Sequence, residues 1–192
     1  MQRNISAFQR HLLFFGTNTT PARLTVPSAT HAALSLGLDF PVAVLLSLSL
    51  RFLYTPVPNI LSSPCIEDLP PSRHRQQLEG INLEKERYTC KDLLELLPKE
   101  PGKGFLGKKL DQGHIVGFWA IAADTKTHVV KREDVERFQE GRWQGGVVKR
   151  RRGREDVLPL WRGGPIVVEW HNWAVRKIVG VRVYEEDDNK GG

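Results

Sequence analysis

From Tyr88 to Gly141 the chain reads YTCKDLLELLPKEPGKGFLGKKLDQGHIVGFWAIAADTKTHVVKREDVERFQEG, and how this stretch is divided decides the fold. Thr89 is placed as a helix N-cap: its hydroxyl can accept from the Asp92 amide while the Asp92 carboxylate reaches back to the Thr89 amide. Tyr88 and Leu93 hold the two positions of a hydrophobic staple. Leu93, Leu94, Leu96 and Leu97 supply the apolar face, and Pro98 with Pro101-Gly102 ends the helix in a turn. A second helix is predicted from about Phe105 to Gln112, with Leu106 and Leu110 inward, Lys108, Lys109 and Gln112 outward, and Gly113 as its stop. Ile115 to Ile121 is apolar and β-prone, Ala123 to Lys126 is a polar tip, and Thr127 to Val130 returns, so a hairpin is expected. The last helix, Arg132 to about Gln139, turns Val135 and Phe138 inward and closes at Gly141.

Helix, turn, helix, hairpin, helix is a recognisable order. With Tyr88-Thr89, Leu96-Leu97, Asp111-Gln112-Gly113 and the run Val130-Lys131-Arg132-Glu133-Asp134-Val135-Glu136-Arg137-Phe138, the segment resembles the MerR-like, excisionase-type winged helix-turn-helix. The likeness covers about residues 86 to 141, under a third of the chain. It implies a second helix in a DNA major groove with the hairpin as a wing on the backbone. On that implication Lys103, Lys108, Lys109 and Gln112 contact DNA from the second helix and its approach, and Lys126, Thr127 and His128 from the wing. The family's dimers form through a long coiled coil, and no heptad run follows Phe138, so the oligomeric state stays open.

The rest of the chain sets the context. Its 192 residues carry a net charge of +6 with a pI near 9.5, which suits an anionic partner without naming one. Lys149, Arg150, Arg151, Arg152 and Arg154 follow Arg142 closely, and Gly145-Gly146 and Gly153 suggest a flexible basic loop over 142–164 that holds phosphates. From Pro165 to Tyr184 the sequence is rich in Val, Ile and Trp, which predicts a hairpin turning at about His171-Asn172, with an acidic tail to Gly192.

Residues 1–79 read differently, as a Ser, Thr, Leu, Ala and Pro-rich extension that is largely unstructured. Asp39-Phe40-Pro41 interrupts its most apolar run, so neither a membrane span nor a signal peptide is a good description. A translated extension, a targeting or membrane-associating segment and a packed subdomain all remain open. Pro56, Pro58, Pro64, Pro70 and Pro71 suggest a linker, and the folded part is expected to begin near Leu78, with the winged unit over 80–141.

Cys65 and Cys90 do not make a disulfide framework, and no paired Cys or His spacing proposes a metal; a reducing, intracellular setting, cytoplasmic or nucleoid-associated, is the default. No nucleophile elbow, phosphate loop or dinucleotide fingerprint occurs, so the reading is of a non-enzyme with no cofactor and no motif for a small-molecule ligand. The fold class expected is α+β: a small winged helix-turn-helix followed by a short β-hairpin. The function expected is binding of double-stranded DNA, as a transcriptional regulator or an accessory factor in recombination or excision, with protein partners at the same locus. Two alternatives stand beside it: an RNA or single-stranded nucleic-acid binding module using the Trp-rich C-terminal strands, and a protein-interaction module on a winged-helix scaffold.

Overall fold

Thr89 caps its helix as its residue type dictates. Its hydroxyl accepts from Asp92 N at 3.2 Å, and Asp92 Oδ2 accepts from Thr89 N at 2.8 Å. In the computed structural model, which describes residues 5–55, 62–98, 104–153 and 156–185, that helix is one of eight, and the only regular sheet among the described residues has two short strands.

In chain order the helices are α1 (Ala7–Leu13), α2 (Val26–Ser35), α3 (Phe40–Tyr54), α4 (Cys90–Glu95), α5 (Phe105–Ala122), α6 (Arg132–Gln139), α7 (Gln144–Arg152) and α8 (Val168–Val179). Strand β1 (Arg87–Tyr88) pairs antiparallel with β2 (Val130–Lys131), Arg87 opposite Lys131 and Tyr88 opposite Val130. Helices α4 and α6 match the sequence expectation, and both staple residues, Tyr88 and Leu93, are buried in one core. Gly141 closes α6 at φ 75°, and a Cβ there would lie 2.0 Å from the Ala7 carbonyl oxygen. Only glycine lets the chain pass α1 so closely.

The structure departs from the sequence expectation at five places, the first being that Leu106 and Leu110, expected inward, are exposed on α5. No wing follows the second helix among the described residues: α5 runs on through Gly113, and its Ile115, Phe118 and Ala122 are buried at helical spacing. The apolar composition of Ile115 to Ile121 suits a strand, but its three-and-four periodicity fits a buried helix face, and two glycines do not outweigh that burial. The returning strand shrinks to Val130–Lys131, and its partner is Arg87–Tyr88 rather than the other arm of a hairpin.

The N-terminal extension is folded over the described residues 5–55. Ser6 with Gln9 and Thr25 with Ser28 form capping boxes. Asp39-Phe40-Pro41 begins α3 instead of interrupting it, because Asp39 Oδ1 accepts from Phe40 N at 2.9 Å and proline is at home in a first turn. The basic stretch is helix α7, not a loop, and its glycines sit in the first turn. The C-terminal hairpin is α8: His171, Asn172, Ala174 and Val175 turn inward, and Gly180 at φ 74° ends the helix. Val and Ile favour strands only where a pleated neighbour exists, and here the partner surface is helical.

Two clusters of buried side chains hold the molecule together. The larger joins Phe8, Leu12 and Phe15 to Leu78, Leu93, Phe118, Phe138 and Trp143, so it crosses the expected boundary near Leu78. The smaller joins Leu34, Leu38 and Ala43 to Leu158, Val175 and Val183. Residues 5–55 therefore contribute to both. Of the expected linker prolines, Pro56 and Pro58 lie outside the described residues. Pro64 accepts from Leu24 N at 3.0 Å, and the next residue, Cys65, bridges to Arg23.

Candidate ligand cavity

The most distinctive chemistry lies where α1, α3 and α5 meet. Phe8 and Leu12 seat α1 in the core, which carries His11 inside with them. One turn past Leu110, α5 brings in His114, and the two imidazoles meet edge to face with centroids 4.9 Å apart. His11 also stacks on Trp143 at 5.9 Å, and Phe8 lies within 6.2 Å of both histidine rings.

Hydrogen bonding decides the state of His11. The indole Nε1–H of Trp143 donates to His11 Nδ1 at 3.1 Å, and Gln144 Nε2 donates to the same atom at 2.6 Å. An indole nitrogen can only donate, so Nδ1 must be the bare, accepting nitrogen and the proton sits on Nε2. A second proton on Nδ1 would face two donors, which makes the imidazolium untenable. Burial, and secondarily the charge of His114, push the His11 pKa well below its usual value. Burial likewise lowers His114 to about 4, against a smaller opposing pull from Asp111. Both rings are neutral at neutral pH.

His11 and His114 line a cavity of about 290 Å³, at the lower end of the range for small-molecule sites. Its walls are mostly apolar, with Phe15, Leu50, Phe118 and Ile121 prominent. Gly113 and Gly117 stand on its α5 side, and a Cβ at either would meet nothing within 4 Å. Polar groups gather at one part of the wall: Arg75, which is 3.8 Å from Asp111, and Tyr54, whose phenol burial raises to about 12 despite the charge of Arg75. His11 and His114 are the two imidazoles on the cavity wall among the described residues. Among those residues there is no group of three His, Cys, Asp or Glu able to hold a metal ion, so two imidazoles would have to do so unaided.

The residues expected to contact DNA are placed differently from one another. Lys103 and Arg154 lie outside the described residues. Lys108, Lys109 and Gln112 are exposed on α5, with the Lys109 ammonium 5.7 Å from the Phe105 ring centre and its side chain at the cavity. Lys126, Thr127 and His128 are exposed in the α5–α6 connection, where Asp124 Oδ1 accepts from the Lys126 and Thr127 amides at 3.0 and 2.7 Å. Lys149 and Arg152 border a separate open groove with Phe14 and His31.

Arg150 and Arg151 are spent inside the fold. Arg150 pairs with Asp134 at 2.7 Å and donates to the Ala122 carbonyl at 2.8 Å. Arg151 is fully buried, 2.6 Å from Asp156 Oδ2, and donates to the Ile121 carbonyl at 2.6 Å. Their task is to bind the end of α5 to α7.

Sequence reasoning passed over His11 and His114 because they are far apart and neither sits in a motif. The available signal was the helical spacing of Phe8, His11, Leu12 and Phe15, which puts one histidine on an otherwise apolar face. Family models, curated proteins and solved structures yield no match to this chain.

Proposed function

We propose that this protein binds an apolar small molecule that presents one hydrogen-bond acceptor to His11. The observation that carries the reading is the fixed tautomer of His11: Trp143 and Gln144 occupy Nδ1 and so place the proton on Nε2 of a ring that lines an apolar cavity. A ligand acceptor can take this N–H while apolar walls bury the remainder of the ligand. Tyr54 and Arg75 lie on the same cavity and favour an acceptor that is polar or anionic. The test compares an alkyl ketone or carboxylic acid with the hydrocarbon of equal length, by thermal shift and by the ¹⁵N resonances of the histidine rings. The acceptor ligand is expected to bind about tenfold or more tightly than the hydrocarbon and to move the His11 Nε2–H signal. Gly117→Leu, which extends a side chain into the cavity, is expected to abolish both effects without unfolding the chain. Equal binding of the two ligands, or an unaffected Gly117→Leu variant, sinks the reading.

A second reading is favoured by the exposure of Lys108, Lys109 and Gln112 together on one stripe of α5, directly after α4. This helix pair is proposed to contact duplex DNA through those side chains, with Lys126 and Lys149 nearby in sequence as phosphate contacts. It would show as duplex binding that weakens steeply with salt, an effect the cavity ligand does not produce.

A further inference from the structure

Three segments turn large apolar side chains away from the protein. On α3 the outer face is Leu45, Leu48 and Phe52, exposed by 65%, 50% and 78%. On α8 it is Trp170 and Trp173, one turn apart, with Ile166 just ahead of the helix. Trp161, in the 3₁₀ turn Leu160–Arg162, is also exposed. The segments that carry these side chains meet at the start of α3: Asp39, its cap, lies 2.9 Å from His171 of α8 and donates its amide to the Gly163 carbonyl at 2.8 Å. Single exposed apolar residues are ordinary, whereas neighbouring apolar faces of this kind mark a contact surface.

We infer that this surface docks on a phospholipid bilayer, with α3 and α8 lying in the plane of the interface. Hydrogen bonding argues for lipid over a folded partner. Protein interfaces carry about one hydrogen bond per 100–200 Å², yet the outer face of α3 offers only the Ser49 hydroxyl, which is already donated to the Leu45 carbonyl at 2.8 Å. A helix face with no polar group left to satisfy suits hydrocarbon, and on this surface that face belongs to α3. Length argues for lying on the membrane: the 15 residues of α3 rise about 22 Å, short of the roughly 30 Å hydrocarbon core. No helix among the described residues is long and apolar enough to cross. Three of the five tryptophans fall on this surface, and the amphipathic indole prefers the headgroup level. Lys177 at the end of α8, with the chain's net charge of +6, complements anionic headgroups, although Glu169 on the same helix subtracts from this.

The test does not depend on the cavity, since it needs no ligand. Full-length protein is sedimented with vesicles of phosphatidylcholine alone and with one part phosphatidylserine to four, and tryptophan emission is read against lipids brominated on the acyl chain. Wild type is expected to pellet with both vesicles, more strongly with the anionic ones, and its emission to be quenched by the brominated chains. Trp170→Ser/Trp173→Ser and, separately, Leu45→Gln/Leu48→Gln change only exposed side chains. Each is expected to weaken binding about tenfold or more. The quenching measurement is made on wild type, so it stands even if a variant fails to fold. The inference is overturned if wild type neither pellets nor is quenched at millimolar lipid, or if both folded variants bind as wild type does. It is also overturned if the protein self-associates through these residues in sedimentation velocity and leaves vesicles untouched, which would make the occupant a second copy.

Discussion

A buried histidine held neutral makes stability depend on pH in a definite direction. His114 has a folded pKa of about 4 against 6.5 when free, so the unfolded chain binds the proton more readily and acid favours unfolding. The stabilising effect is complete above 6.5 and is lost as pH falls toward the folded value. From His114 alone the loss between pH 6.5 and about pH 5 is about 2 kcal/mol; His11 and His171, both also buried and lowered chiefly by that burial, act in the same sense. Most carboxylates are still ionised in this window, so the histidines dominate it. Urea unfolding midpoints at pH 7 and pH 5 are expected to differ clearly in wild type. His114→Gln, whatever its own stability, is expected to show a smaller difference, and an unchanged difference would contradict the burial of His114.

Within elements, the sequence was most legible where hydrogen-bonding side chains mark an end, and least where composition and periodicity disagree. Thr89, Asp92 and Gly141 act as their residue types require, and α4 and α6 follow from them. Ile115 to Ile121 misleads because glycine at 113 and 117 and β-prone neighbours resemble a strand flanked by turns, while only the far side of the core reveals that the helix continues. The reading of α5 has a clear test. Gly113 lies inside the helix with open space where a Cβ would go, so Gly113→Ala is expected to stabilise the protein by about 1 kcal/mol. The same methyl narrows the cavity and should weaken an apolar ligand. If Gly113 were instead a helix stop in the left-handed region, alanine would destabilise, so the sign of the change in melting temperature decides between the two.

Across the whole molecule, what the sequence could not show was which segments meet. The cavity is built from His11 and His114, more than a hundred residues apart in the chain, and Arg151 looks like a phosphate contact until Asp156 and the end of α5 are seen around it. Charge type is legible in a sequence, but whether a charge is spent inside is a tertiary property. The same contacts predict the outcome of truncation. Because Phe8, Leu12 and Phe15 share one core with Phe118, Phe138 and Trp143, and Leu34 and Leu38 share the other with Val175 and Val183, a fragment of residues 80–192 is expected to lack cooperative thermal unfolding by circular dichroism. Adding back a separate peptide of residues 1–62 is expected to restore part of the helical signal. Cooperative unfolding of the fragment alone would show that its core closes without the first three helices.

The tie between His11 and Trp143 also bears on how the protein is made. A ribosome adds roughly 5–20 residues per second, so the apolar side of α1 leaves the exit tunnel many seconds before Trp143 and Gln144 exist to cover it. Contacts so distant in sequence form slowly even in a finished chain. During that interval Phe8 can already meet Tyr54 and His74, whose rings lie 5.6 and 5.3 Å from it in the folded chain, while the side of His11 that Trp143 covers stays open.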